Sequence, residues 1–213
     1  MIYLFDDISI YKQADLECDL ASLSVAHQQK IMTYRSINRQ KMSMIGLKLL
    51  LYGLKNEYGF TNIPNWKFEK HGKPYFDSYI HIHFNISHCP CAVACALDST
   101  SVGIDVQDIA RANKPLVWQR VCSNKERDAL AKSNDPPRLF ARFWSLKESY
   151  VKYTGEGIGQ DLKKLDFHDC IHSTQKKRGL FFTVLEYENY VLSVCSMHPN
   201  LSIQKLCIDE MRN

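Results

Sequence analysis

His81-Ile-His-Phe-Asn-Ile86 alternates in character, Pro90 interrupts, and Cys91–Leu97 and Val102–Gln107 follow as two more apolar, strand-like runs. Alternation with period two marks a strand with one buried face. Three successive strands in the middle of a chain, with helical patterns on both sides, set the fold class. Upstream, Met42, Ile45, Leu49, Leu50 and Tyr52 fall at 3.6-residue spacing, which predicts a helix over Ser36–Tyr58 stopped by Gly59. A second helix is expected over Ser22–Tyr34 and strands over Met1–Ile8 and Trp66–Glu69, with a turn at His71-Gly-Lys-Pro74. Downstream, Pro115–Cys122 reads as a short helix and Ser123-Asn-Lys-Glu126 as a capping box that opens another. Asp135-Pro-Pro starts a third, running to about Tyr153 and ending at Gly155. Leu165–Phe167, Leu180–Tyr187, Tyr190–Ser196 and Ser202–Ile208 read as strands.

The order strand, helices, strands, then helices, strands predicts an α+β fold with mostly antiparallel sheets, arranged as two similar halves. The expected division is an N-terminal subdomain, residues 1–103, and a C-terminal subdomain, residues 104–213. No Gly-, Ser- or Pro-rich linker separates them, so the halves should pack tightly.

The 213 residues suffice to bury a core without staples, and no apolar run approaches a membrane span. A formal charge of +4 is too small to argue for nucleic acid. Met1-Ile-Tyr-Leu-Phe-Asp-Asp7 lacks the basic start of a secretion signal, so a cytoplasmic location is expected. The eight cysteines contain no CxxC and read as reduced, mostly buried residues. A zinc site from His88, Cys89 and Cys91 is sterically awkward. Between Leu20 and Asn56 stand Lys30, Arg35, Arg39, Lys41, Lys48 and Lys55 without one acid, a solvated face or an anion-binding one.

Four segments carry chemistry. In Val102-Gly-Ile-Asp-Val-Gln107, alternation puts Asp105 and Gln107 on one strand face, a donor set suited to a hard cation. In Trp144-Ser-Leu-Lys-Glu-Ser-Tyr-Val-Lys152, Glu148 and Lys152 share a helix face. Phe143, Trp144, Leu146 and Val151 spread apolar surface around that helix, so its charges should be buried and need partners such as a metal or a phosphate. Phe84-Asn-Ile-Ser-His88 offers hydrogen-bond donors for a phosphate or half of a hydrolase pair, although no G-x-S-x-G elbow surrounds Ser87. Lys70-His-Gly-Lys-Pro-Tyr75 is a turn where Gly72 permits close approach to a ligand and Pro74 stiffens the exit.

These segments together resemble, in order and spacing, the 4′-phosphopantetheinyl transferases of the large, surfactin-synthetase-activating type. The resemblance runs from the first strand through Gly155-Glu-Gly-Ile158 to the last strands. It implies a pseudo-dimeric α+β fold with the site between the halves. It implies a Mg2+-dependent transfer of 4′-phosphopantetheine from coenzyme A to a serine of an acyl or peptidyl carrier protein, releasing adenosine 3′,5′-bisphosphate. It also implies a monomer, because two halves already make the site. By position, Asp105, Gln107 and Glu148 would hold the metal, with Glu148 and Lys152 catalytic. Lys73, Pro74, Ser87 and His88 would contact coenzyme A, with Lys30 and Lys41 at its nucleotide end. Many members have Glu where Gln107 stands, so Asp105 and Glu148 are the expected core of the metal site. The apolar and basic segment of about Gly155–Phe182 is the expected carrier-docking surface. A non-catalytic coenzyme A- or carrier-binding protein on the same fold is the alternative, with neither membrane nor nucleic acid as a partner.

Overall fold

Ile2–Phe5 (β1) opens the chain; the computed structural model describes residues 1–157, 161–170, 173–199 and 201–211. Three helices follow: Gln13–Ala21 (α1), Val25–Met32 (α2) and Ile37–Tyr58 (α3). A small hairpin of Trp66–Phe68 (β2) and Pro74–Phe76 (β3) leads to His83–Cys89 (β4) and Ala92–Asp98 (β5). The second half repeats the pattern. Val102–Asp108 (β6) is followed by Pro115–Val121 (α4), Asn124–Lys132 (α5) and Pro136–Thr154 (α6). Thr174–Lys177 (β7), Leu180–Glu186 (β8), Tyr190–Ser196 (β9) and Ile203–Lys205 (β10) complete it.

The sheets have the orders β10-β1-β5-β4 and β6-β9-β8-β7. In each, the first strand of the half pairs antiparallel with the second strand of its later hairpin (β1 with β5, β6 with β9). Among the described residues the one parallel pairing is β10 on β1, by which the chain crosses back to the first sheet. A division after Gly103 falls inside β6, whereas the turn between the sheets is at Ser99–Ser101.

Alternation sorts the core into layers. Tyr3, Phe5, Val93, Cys95 and Leu97 face α3, while Val191, Cys195 and Phe182 face α6. The opposite faces meet each other: Ile2, Leu4, Ala92, Ala94 and Ala96 pack against Ile104, Val106, Leu192 and Val194. Small alanines along β5 suit this close sheet-to-sheet contact. Since Ile104 and Val106 point between the sheets, Asp105 points the other way, toward α6.

β4 and β6 lie side by side at the seam, joined through side chains. Asn85 Oδ1 accepts from the Ile104 N–H (2.9 Å) and Ser87 Oγ from the Val106 N–H (3.1 Å). The edge amides of β6 that a ladder would use are thereby satisfied.

Several expected boundaries move for identifiable reasons. β4 begins at His83 and runs on to Cys89, with Pro90-Cys91 as the hairpin turn. Helix α1 escaped the apolar pattern because Leu16 is its one buried residue, and β3 because it opens with Pro74. The second expected helix starts only at Val25, after Ser24, whose hydroxyl caps it. Leu165–Phe167 is not a strand. Both apolar side chains are buried, but the backbone bonds to charges instead: Lys147 Nζ donates to the Leu162 oxygen (2.7 Å) and the Leu165 oxygen, and Glu126 Oε1 accepts from the Phe167 N–H (2.9 Å). The sheet-edge strand is the polar Thr174–Lys177, which carries no alternation to read. All eight cysteines are free thiols. Among the described residues, no helix is long and apolar enough to cross a membrane.

Gly103 sets how near α6 can come. A Cβ there would lie 2.0 Å from the Ser149 carbonyl oxygen and 2.4 Å from the Tyr153 nitrogen, both helix backbone. Neither atom can swing aside, so a methyl must lift α6 off β6. Gly103→Ala should destabilise the protein by about 1–3 kcal/mol or more in denaturant unfolding. A change below about 0.5 kcal/mol would contradict this packing.

Candidate active site

Helix α6 is built to hold its position. Asp135 caps its start, accepting from the Arg138 N–H (3.2 Å), Pro136 occupies the first turn, and Gly155 ends it in the left-handed region (φ 71°). Lys147 is wholly buried and paired with the equally buried Glu126 (2.8 Å), which also closes the capping box of α5. Those contacts orient the next residue, Glu148, and one turn later Lys152, toward β6.

Lys152 Nζ donates to Asp105 Oδ1 (2.7 Å), Ser87 Oγ (2.9 Å) and the Ile104 carbonyl oxygen (3.1 Å). The Ser87 hydroxyl donates to the same Asp105 oxygen (2.9 Å). One carboxylate oxygen of Asp105 therefore takes two donors. Its other oxygen, Oδ2, is buried without a hydrogen-bond partner among the described residues, and so is Glu148 Oε1. Asp105 is 6% and Glu148 8% exposed. Burial, and then the charge of Asp105, push the Glu148 pKa above the ordinary glutamate value, with Lys152 opposing. Leaving a charged oxygen buried and unpartnered costs roughly 1–3 kcal/mol or more. These two buried oxygens, whose charges bear on each other, are the pair that could hold a hard cation. Two carboxylates completed by water or phosphate oxygens suit Mg2+. Among the described residues no three His, Cys, Asp or Glu side chains cluster to hold an ion. Gln107 is half-buried, with its Nε2 turned to the Asp108 carbonyl (3.1 Å).

Two clefts flank this seam, both walled by α3 and β4. One, of about 620 Å³, contains Arg39, Lys41, His88 and Arg111. The other, of about 440 Å³, contains Lys30, Pro74, His27, Trp66 and Phe68, an apolar slot with a cation at its edge. The basic stretch of the sequence is thus divided. Arg39 and Lys41 enter the first cleft, Lys30 the second, and Lys48 pairs with Asp19 (2.8 Å) on another face. His88 is exposed at the rim. Crowding by neighbouring atoms, then the charges of Lys152 and Arg39, hold its pKa below the usual histidine value. An anion bound there would reverse that effect and favour the protonated ring.

Two expected contacts look different in three dimensions. The Ser87 hydroxyl is committed to Asp105, Val106 and Lys152, and alternation puts His88 on the opposite strand face, which removes the hydrolase pairing. Lys73 lies outside both clefts, with Nζ bonded to Ser101 Oγ and the Tyr153 carbonyl oxygen (both 2.7 Å). Arg111, Asn85 and Gly103 were not singled out from sequence. Arg111 reaches the cleft by way of Asp108, which accepts from the Ala110 N–H (2.9 Å) and pairs with the guanidinium (3.5 Å). The glycine of Val102-Gly-Ile-Asp105 was the one available signal for close helix approach. Ile158 and parts of the Gly155–Phe182 segment lie outside the described residues.

Comparison with known proteins bears on this site. A family model described as the 4′-phosphopantetheinyl transferase superfamily matches residues 101–195, the stretch from β6 to β9. The 4′-phosphopantetheinyl transferase gsp of Aneurinibacillus migulanus is 30% identical over 209 residues, covering 91% of this chain and 85% of that protein. A Bacillus subtilis 4′-phosphopantetheinyl transferase is 27% identical over 190 residues, 85% of each chain. The L-aminoadipate-semialdehyde dehydrogenase-phosphopantetheinyl transferase of Saccharomyces cerevisiae is 30% identical over 163 residues, 71% of this chain and 60% of that one.

The raised Glu148 pKa has a measurable consequence. Between the ordinary glutamate value and the raised one, the folded protein keeps a proton that the unfolded chain has released. Glu148 therefore lowers stability progressively as pH rises through that window, and its full cost persists above it. In the presence of a chelator, Glu148→Gln should raise the melting temperature at neutral pH, and the gain should vanish below the ordinary glutamate pKa. A variant no more stable than the parent at neutral pH would contradict the burial of an unpartnered charge.

Proposed function

This chain belongs to the 4′-phosphopantetheinyl transferase superfamily, and we propose that it moves the 4′-phosphopantetheine arm of coenzyme A onto a carrier-protein serine at the seam of β4, β6 and α6. It is a transferase of the holo-carrier-protein synthase type. The observation that carries the assignment of the site is the pair of buried, unpartnered oxygens, Asp105 Oδ2 and Glu148 Oε1, beside the Lys152 ammonium and a basic cleft.

Asp105 and Glu148 would hold Mg2+, with Gln107 contributing at most a neutral amide oxygen. The ion, when bound, supplies positive charge to a pyrophosphate as its phosphorus is attacked. The protein's own groups do the rest. Ser87 and Lys152 fix one oxygen of Asp105 and leave the other without a partner among the described residues. Glu148, buried beside Asp105, would take the proton of the carrier serine hydroxyl, directly or through water. As that oxygen bonds to the pantetheine-side phosphorus, the bond to the bridging pyrophosphate oxygen breaks, and adenosine 3′,5′-bisphosphate leaves with the electron pair. Lys152 neutralises charge on that leaving group.

The apolar slot of Trp66, Phe68 and Pro74 suits the base, with Lys30 at its rim. Lys41, Arg39 and His88 suit the nucleotide phosphates. The proposed docking segment Gly155–Phe182 buries Leu162, Leu165 and Phe167, so its apolar part is core; Lys163, Lys164 and Lys176 remain outward for an acidic carrier, beside the exposed Asp161 and Asp169. One chain supplies both walls of the site, so a monomer suffices.

Incubating apo acyl and peptidyl carrier proteins with coenzyme A and Mg2+ should raise carrier mass by one phosphopantetheine group. The shift should disappear with a chelator, and in folded Asp105→Asn. Transfer at the normal rate by that variant would remove Asp105 from the site. Gln107→Glu adds a charge and should lower the Mg2+ concentration for half-maximal rate; an unchanged value would put Gln107 outside the ion's contacts. His88→Ala should raise the KM for coenzyme A by about 10–100-fold, and much less for dephospho-coenzyme A. Equal penalties on both donors would move His88 away from the 3′-phosphate.

A further inference from the structure

The turn between β2 and β3 belongs to the first half, yet it closes over the end of α6 in the second. It is tight: the Gly72 N–H donates to the Glu69 oxygen and the Glu69 N–H to the Lys73 oxygen, both at 2.9 Å. Its last residue, Lys73, turns inward. The ammonium donates to the Tyr153 carbonyl oxygen and to Ser101 Oγ at 2.7 Å each, and lies 5.8 Å from the Tyr153 ring centre. Ser101 Oγ donates to the same Tyr153 oxygen (2.8 Å). Gly155, the residue that ends α6, sits directly beneath the turn; a Cβ there would come within 2.5 Å of Glu69 Oε2.

The carbonyls of a helix's last turn lack intrahelical partners and carry the negative end of its dipole, so a lysine set against one is a strong clamp. Burial lowers the Lys73 pKa, and the charge of Glu69 opposes that shift. The side chain is half-buried at the edge of a separate cleft of about 180 Å³, which Glu69, Tyr75 and His83 also line. Two of the ammonium's three donors are spent on the end of α6 and on Ser101, which immediately precedes β6.

We infer that Lys73 is a positioning residue for the transfer reaction rather than a ligand of the donor's phosphates. It fastens the last turn of α6 to the start of β6, so that Lys152, one residue before Tyr153, keeps its ammonium against Asp105. The neighbouring Pro74 lines the apolar slot, so one turn carries both a wall of the donor cleft and the clamp on the helix. The inference rests on reading α6 as the catalytic helix.

Two measurements on Lys73→Met, Lys73→Arg and Ser101→Ala test it. Hydrogen–deuterium exchange, read without coenzyme A or carrier, should quicken at the C-terminal turn of α6 in Lys73→Met and be largely restored in Lys73→Arg. In steady-state transfer, Lys73→Met should lower kcat by about 10–100-fold and leave the KM for coenzyme A within about threefold. Ser101→Ala should give a smaller kcat loss of the same kind. A tenfold or greater rise in KM with kcat kept would make Lys73 a donor ligand and overturn the inference. Unchanged exchange at α6 would overturn it too. Should Lys73→Met fail to fold, Ser101→Ala decides: faster exchange with lower kcat supports the clamp, and parent-like values overturn it. Because exchange is read without substrates, the clamp stands or falls separately from the transferase reading.

Discussion

Two side-chain hydrogen bonds across the β4–β6 seam, Asn85 to Ile104 and Ser87 to Val106, are the constraint on which the rest depends. They seat one sheet against the other with a register that places Ser87 beside Asp105. The apolar faces of β5 and β6 then close behind the seam, and α6 closes in front of it, held near by Gly103. Asp105 receives a first-half hydroxyl and a second-half ammonium on the same oxygen. The site is therefore a property of the junction, and neither half makes it alone.

Its electrostatics follow from that geometry. Four groups crowd a place with little water: Asp105, Glu148, Lys152 and the Ser87 hydroxyl. Lys152 neutralises one carboxylate, and among the described residues no lysine pairs with the second. Lys147, immediately before Glu148, points the opposite way to a buried acid, Glu126. Adjacent Lys and Glu on α6 thus serve different ends, one anchoring the loop after the helix and the other left exposed to repulsion from Asp105. Holding such a pair buried costs the protein stability.

Much of this was legible in the sequence, and the limit is physical. Strand alternation put Asp105 on the face away from Ile104 and Val106, and helical spacing put Glu148 and Lys152 together; both rules act within one element. The caps Ser123, Asp135 and Gly155 were readable for the same reason. What escaped depends on which element lies beside which. Nothing local to Ser87 says that its neighbour is Asp105, and nothing local to Lys73 says that it ends on Tyr153. Leu165 and Phe167 are apolar because they are core residues, and their backbone found Lys147 and Glu126 in place of a strand. The polar β7 and the nearly unburied α1 left no periodic trace because a single buried side chain, or none, fixes them.

The central claim is that Asp105 and Glu148 share one divalent cation beside the β4–β6 seam. Calorimetric titration of Mg2+ into the protein with coenzyme A present, for the parent and for Asp105→Asn, tests it most directly. The account predicts one ion bound by the parent and affinity weaker by about tenfold or more in the variant. Equal affinity in both proteins would contradict it.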